Sequence, residues 1–156
     1  MNEEVGSNDA PRPHTVLGFD FGLRRIGVAV GQTLTGTASP LQTLLCTDGR
    51  PNWDVVSRLI AEWCPAVLVV GLPTTANGME SAVLAATRRF VRHLEEHYRL
   101  PVHTVDERLS SWEAEAHMVE AGKMRSRPKG TIDKMAAQVI LQSWLTEQAA
   151  LSRNVV

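Results

Sequence analysis

The chain predicts an α/β fold, a mixed sheet with helices on its faces. Two patterns predict it. The first third carries three β-type segments separated by short turns, as an antiparallel meander does. The remainder alternates segments of helical apolar period with short apolar runs, as the helix-strand units of a parallel sheet do.

The elements follow in order. Apolar residues run almost unbroken from Val16 to Phe21, and after "GLRR" a second run, Ile26 to Val30, alternates large and small side chains. A third strand is expected from Ala38 to Leu45, with Pro40 placing it at a sheet edge, because proline cannot donate to a ladder. After the loop "CTDGRPN" the period changes. Val55, Val56, Leu59, Ile60 and Trp63 recur at helical spacing, and Pro65 stops that helix. "AVLVVGLP", Ala66 to Pro73, lacks alternation, as expected of a parallel strand covered on both sides. The loop "TTANG" leads to a helix from about Met79 to Tyr98, whose apolar stripe is Ala82, Val83, Ala86, Phe90, Val91 and Leu94, with Arg88, Arg89 and Arg92 off it. "PVHTVDERL" reads as the last strand. Ser110 and Glu113 have capping-box spacing and open a helix that closes near Gly122. The basic loop "KMRSRPKG" precedes a final helix from Thr131 to about Ala149.

A chain of 156 residues suffices for one core, and no internal repeat divides it. The expected organisation is a tail over residues 1–14, one domain over 15–149 and a C-terminal tail over 150–156. With 44% hydrophobic and 21% charged residues the composition is that of an ordinary globular protein. A formal charge of -1 gives no overall attraction to nucleic acid, so phosphate contacts must come from local basic clusters. Cys46 and Cys64 lack the spacing of a zinc site or disulfide framework and read as free thiols. The N-terminus has no signal-peptide pattern, and no apolar run approaches the ~20 residues of a membrane span. The expected location is the cytoplasm. Trp53, Trp63, Trp112 and Trp144 are expected in the core rather than at an interface.

Acids at three places stand out. Asp20 lies at the C-terminal end of the first strand, on the face shared by Val16 and Gly18. A buried, unpaired carboxylate costs many kcal/mol, so Asp20 either binds the amides of "GLRR", pairs with Arg24 or Arg25, or meets a cation. Asp133 opens the last helix and shares a face with Ala136, Ala137, Ile140, Leu141 and Trp144. Compensation of the helix dipole is its simpler role. Asp106 and Glu107 end the last strand and, as neighbours, point to opposite faces, so only one can join Asp20. Arg108 can neutralise one of them.

The rim at the C-terminal strand ends is where sites form in open α/β sheets. Three carboxylates converging there would protonate unless a hard divalent cation accepted their oxygens, which suits Mg²⁺ or Mn²⁺ and phosphodiester hydrolysis. His14, His93, His97, His103 and His117 share no metal-ligand spacing with a carboxylate and read as surface or packing residues.

The segments "GFDFGLRRIGVAVG", "VVGLPTTANGMES", "VDERLSSWEAE" and "GTIDKMAAQVILQSWL", in this order and spacing, resemble the YqgF/RuvX family of nucleases from about Val16 to Gln148. The resemblance implies an RNase H-like mixed five-stranded sheet with helices on both faces. It also implies Mg²⁺- or Mn²⁺-dependent phosphodiester hydrolysis with Asp20, Glu107 and Asp133 as catalytic metal ligands. The substrate it points to is structured RNA, at the 5′ end of pre-16S rRNA. Related RuvC-type junction resolvases carry a Glu at the tip of the strand matching "VLVVGLP", where this chain has Gly71. The second acid is then expected from "DER".

Several other residues match the family. Gly22 relieves the turn after Asp20. Arg25 meets a phosphate or neutralises Asp20. Arg108 and the basic run Lys123, Arg125, Arg127 and Lys129 are expected to hold substrate phosphates beside Asp133. A Holliday junction is the alternative substrate of the same chemistry. A non-catalytic RNA-binding assembly factor is the alternative of another class, disfavoured by the acids and by the lack of stacking aromatics on a strand. Asp-Phe-Gly before a hairpin also occurs in actin-like ATPases and sugar kinases, but those close two such domains over the nucleotide.

Overall fold

Short apolar strands that bury both faces need helices on both sides, and this chain supplies them. The structure is a computed structural model that describes residues 14–73, 81–106 and 131–154. Its strands are β1 (Thr15–Asp20), β2 (Arg25–Gln32), β3 (Thr37–Thr47), β4 (Arg50–Pro51), β5 (Val67–Leu72) and β6 (Val102–Asp106). Its helices are α1 (Trp53–Trp63), α2 (Ala82–Tyr98) and α3 (Thr131–Asn154). The strands form one sheet in the order β4-β3-β2-β1-β5-β6. β1 pairs with β2, and β2 with β3, in antiparallel fashion, while β5 runs parallel to both β1 and β6. The expected meander and parallel pair are thus joined through β1.

The expected count of five strands is exceeded by β4. Asp48 and Gly49 adopt positive φ, 51° and 76°, the backbone of a two-residue hairpin turn that Asp-Gly favours, so part of "CTDGRPN" folds back on β3 instead of forming a loop. Pairing with β4 is confined to Cys46 and Thr47, so the stretch around Pro40 is left at the edge, as its proline requires.

Helix boundaries follow their caps. Asn52 accepts a hydrogen bond from the Asp54 N–H at the start of α1, and Cys64 at φ 45° ends it just before Pro65. α2 opens at Ala82, not Met79, because the Ser81 hydroxyl accepts from the Leu84 N–H. Its buried face is Leu84, Ala86, Thr87, Phe90 and Leu94, so Ala82 drops out of the expected stripe and Thr87 enters it. The Thr87 hydroxyl donates to the Val83 carbonyl at 2.7 Å, which satisfies its burial. α3 continues to Asn154, five residues past its expected end, so 150–154 are helical rather than tail.

Strand alternation divides the core. Leu17, Phe19, Ile26, Val28, Leu68 and Val70 pack against α1 and α2. Val16, Ala29 and Val69 pack against Ala137, Ile140, Leu141 and Trp144 of α3. Trp53 and Trp63 border the first core and Trp144 is buried in the second. Cys46 and Cys64 are free, and burial raises the Cys46 thiol to about 11, which leaves it chiefly protonated and a poor nucleophile. The stretch 1–13, the loop over 74–78, the helix expected from Ser110 to Gly122 with Trp112, and the basic loop before α3 lie outside the described residues.

α3 is also fastened to the sheet edge. Gln142 accepts from the Ala38 N–H at 3.0 Å and donates to the Gly36 carbonyl at 2.7 Å, while Gln138 donates to the Ala38 carbonyl at 3.0 Å. Gln142→Ala removes the partners of the Ala38 N–H in β3 and of the Gly36 carbonyl in the turn before it, and should lower stability by about 0.5–1.5 kcal/mol, read as a reduced urea midpoint at unchanged m-value.

Candidate active site

Asp20 is half-buried at the last position of β1. The register places it opposite Gly27 of β2 on one side and Gly71 of β5 on the other, and Gly71 in turn opposite Val105 of β6. These four residues form one row across the sheet. Its face is the one that α3 covers: Val16, two residue pairs earlier, packs in the α3 core, and a Cβ built on Gly18 would lie 2.8 Å from Leu141 Cβ.

Gly27 brings the second acid to this row. A Cβ there would lie 1.9 Å from the Asp133 carbonyl oxygen and 2.8 Å from the Lys134 nitrogen. The first turn of α3 therefore rests directly on the backbone of β2, next to the residue that faces Asp20. Paired strand residues are about 4.5–5.5 Å apart at Cα, so Asp20 and the backbone of Asp133 flank the same glycine. Asp133 is also in the first helical turn, where its charge complements the dipole.

Arg25, two residues before Gly27 on the same face, donates from Nε to Asp133 Oδ2 at 2.9 Å. Both side chains are partly solvated, 38% and 26% exposed, so the pair contributes little stability, about 0.2–1 kcal/mol. Gly22 behaves as expected: a Cβ there would meet the Arg25 carbonyl oxygen at 2.6 Å. Asp106 is exposed at the end of β6, on the face opposite Val105 and hence opposite Asp20.

The structure thus brings together Asp20, Asp133 and Arg25. Glu107, Arg108, Lys123, Arg125, Arg127 and Lys129 lie outside the described residues. Among the described residues no three His, Cys, Asp or Glu side chains cluster as a metal site. The two acids present are hard oxygen donors that suit a divalent cation such as Mg²⁺ or Mn²⁺. Sequence reasoning missed Gly27, although an isolated glycine within a strand signals close backbone approach. It also missed that Arg25 pairs with Asp133. Of the histidines, His103 packs on Trp144 at 5.4 Å between ring centroids and His93 stacks on Trp53 at 3.6 Å.

Comparison with known proteins gives a consistent result. Residues 14–147 match the profile of the family described as RuvX, Holliday junction resolvase. A protein of Nitrosococcus oceani named "Putative pre-16S rRNA nuclease" is 49% identical over 146 residues, covering 92% of this chain and 95% of its own length. A Legionella pneumophila protein of the same name is 48% identical over 131 residues, covering 84% and 94%. In fold, the chain is similar to Thermus thermophilus RuvC bound to a Holliday junction, with a TM-score of 0.54 at 16% identity over 86% of this chain and 95% of that one. It is also similar to the yeast mitochondrial Holliday junction resolvase, with a TM-score of 0.56 at 13% identity over 89% and 80%.

Proposed function

The chain belongs to the RuvX family, and from that premise we propose that it is a divalent-metal-dependent nuclease that hydrolyses phosphodiester bonds in structured RNA, at the 5′ end of pre-16S rRNA. The observation that carries the chemistry is the convergence of Asp20 and Asp133 on Gly27. One strand and one helix from distant parts of the chain meet there with their acids, an arrangement that packing alone does not require.

Asp20, Glu107 and Asp133 are the proposed catalytic ligands for Mg²⁺ or Mn²⁺. When bound, the cation supplies Lewis-acid activation of a water and charge stabilisation at the phosphate. Gly71 brings no carboxylate to the row, and Asp106 belongs to the other face, so Glu107 is the remaining acid of "DER" with the alternation to join Asp20. Arg25 holds Asp133 in place and offers a guanidinium for the scissile phosphate. Arg108, Lys123, Arg125, Arg127 and Lys129 are proposed to bind the strand. The names of the two curated relatives favour rRNA over branched DNA. Among the described residues no helix is long and apolar enough to cross a membrane, and we place the protein in the cytoplasm as one catalytic domain over residues 15–149.

The cation provides a direct test. Mn²⁺ at about 100 times its dissociation constant should stabilise the fold by about 2.7 kcal/mol, a rise in Tm of roughly 5–10 °C, and Asp20→Asn should remove most of that rise. A wild-type protein whose Tm is indifferent to both Mn²⁺ and Mg²⁺ would contradict the assignment.

A further inference from the structure

A cavity of about 370 Å³ opens on the face of the sheet opposite α3, between the Asp48–Gly49 turn, the head of α1 and the middle of α2. Its chemistry is carried by Arg50, Arg89, Asp48, Trp53 and His93. The volume suits one nucleotide, since small-ligand pockets begin near 300 Å³. Arg50 and Arg89 are exposed, and among the described residues neither is in an ion pair, although Asp48 lines the same cavity. Two guanidinium groups against one carboxylate at one mouth leave a net positive charge suited to a phosphate. This is a local positive charge on a chain whose net charge is only -1.

The wall beside them is aromatic. Trp53 stacks on His93 with ring centroids 3.6 Å apart and an 18° interplanar angle, and His93 stacks in turn on His97 at 5.3 Å. Trp53 also stacks on Phe90 at 5.5 Å, so these rings already hold one another and form an apolar wall for a base or ribose rather than an open stacking platform. The Asp48 carboxylate adds an acceptor suited to a ribose hydroxyl or an exocyclic amine.

The cavity is fastened to the catalytic strand. The Gly49 N–H donates to the Leu23 carbonyl at 3.0 Å and the Cys46 N–H to the Arg24 carbonyl at 2.8 Å. Leu23 and Arg24 belong to the turn that directly follows Asp20.

We propose that this cavity is a subsite for one nucleotide of the RNA substrate, remote from the cleaved bond, with its phosphate on Arg50 and Arg89 and its base and ribose against Trp53, His93 and Asp48. The proposal rests on the nuclease reading for its substrate. Its test reads binding, and cleavage measured separately bears on the nuclease reading.

The probe is a fluorescein-labelled 12-nucleotide single-stranded RNA, titrated by anisotropy into the metal-free full-length protein. Arg50→Gln and Arg89→Gln should each weaken binding about tenfold and each reduce the slope of log affinity against log salt by about one. Arg58→Gln, an exposed α1 charge off the cavity, should change neither. Wild-type affinity in both cavity variants, or an equal loss in Arg58→Gln, would overturn the proposal. So would AMP binding as tightly as the 12-mer, which would make the cavity a free-nucleotide site. A protein that fails to cleave RNA yet shows the variant-specific losses would sink the nuclease reading alone. One that cleaves with affinities unaltered would sink the subsite alone.

Discussion

Gly27→Ala is expected to displace the first turn of α3 and to cost about 3 kcal/mol or more, the upper end of overpacking effects. The added methyl would lie 1.9 Å from the Asp133 carbonyl oxygen and 2.2 Å from its carbon. Both are backbone atoms of a helix and cannot rotate away as a side chain can. Nor can α3 tilt freely. Leu141 lies over Gly18, Leu145 lies over Gly31, and Gln138 and Gln142 tie the helix to β3. The strain therefore falls on Asp133 and its pair with Arg25. Urea denaturation should show the loss of stability, and Mn²⁺ affinity should fall with it.

Gly31→Ala is the internal comparison. There the nearest atom, at 2.8 Å, is Cδ1 of Leu145, the end of a flexible side chain. Gly27→Ala should be the more damaging by at least about 1 kcal/mol. The opposite order would mean that α3 does not rest on β2 as described.

Asp20→Asn has the other large expected effect, on turnover. The substitution keeps the side chain's shape and removes its charge, so the fold should survive while cleavage falls on the order of 10³-fold or more. Asp20 occupies the point where β1 meets both its antiparallel and its parallel neighbour, and each neighbour presents a glycine there. The glycine at position 27 lets the first turn of α3 come down beside Asp20, which a larger residue would prevent.

What sequence could and could not reveal follows from the range of the interactions. The strands around Phe19, Val28 and Val69 are written in local apolar patterning, and α1 ends where Cys64 and Pro65 say it must. Asp20 was visible because a carboxylate in an apolar run is costly without a partner. β4 was missed although Asp-Gly announces a hairpin, because two residues carry no periodicity to read. The exposure of Ala82 at the head of α2 depends on where Ser81 caps the helix, a choice between several polar residues that only the packing settles. The partner of Arg25 lies 108 residues away, and no local rule selects Asp133 over Asp20. The role of Gly27 depends likewise on where α3 lands. Long-range closure, rather than local propensity, assembles the site.

The proposed role of Asp20 in phosphodiester hydrolysis is checked by comparing wild type and Asp20→Asn, with Mg²⁺ or Mn²⁺, on a pre-16S rRNA 5′ substrate and a four-way DNA junction side by side. Wild type should cleave the rRNA substrate and Asp20→Asn should not. Equal background cleavage by the two proteins on both substrates would contradict it.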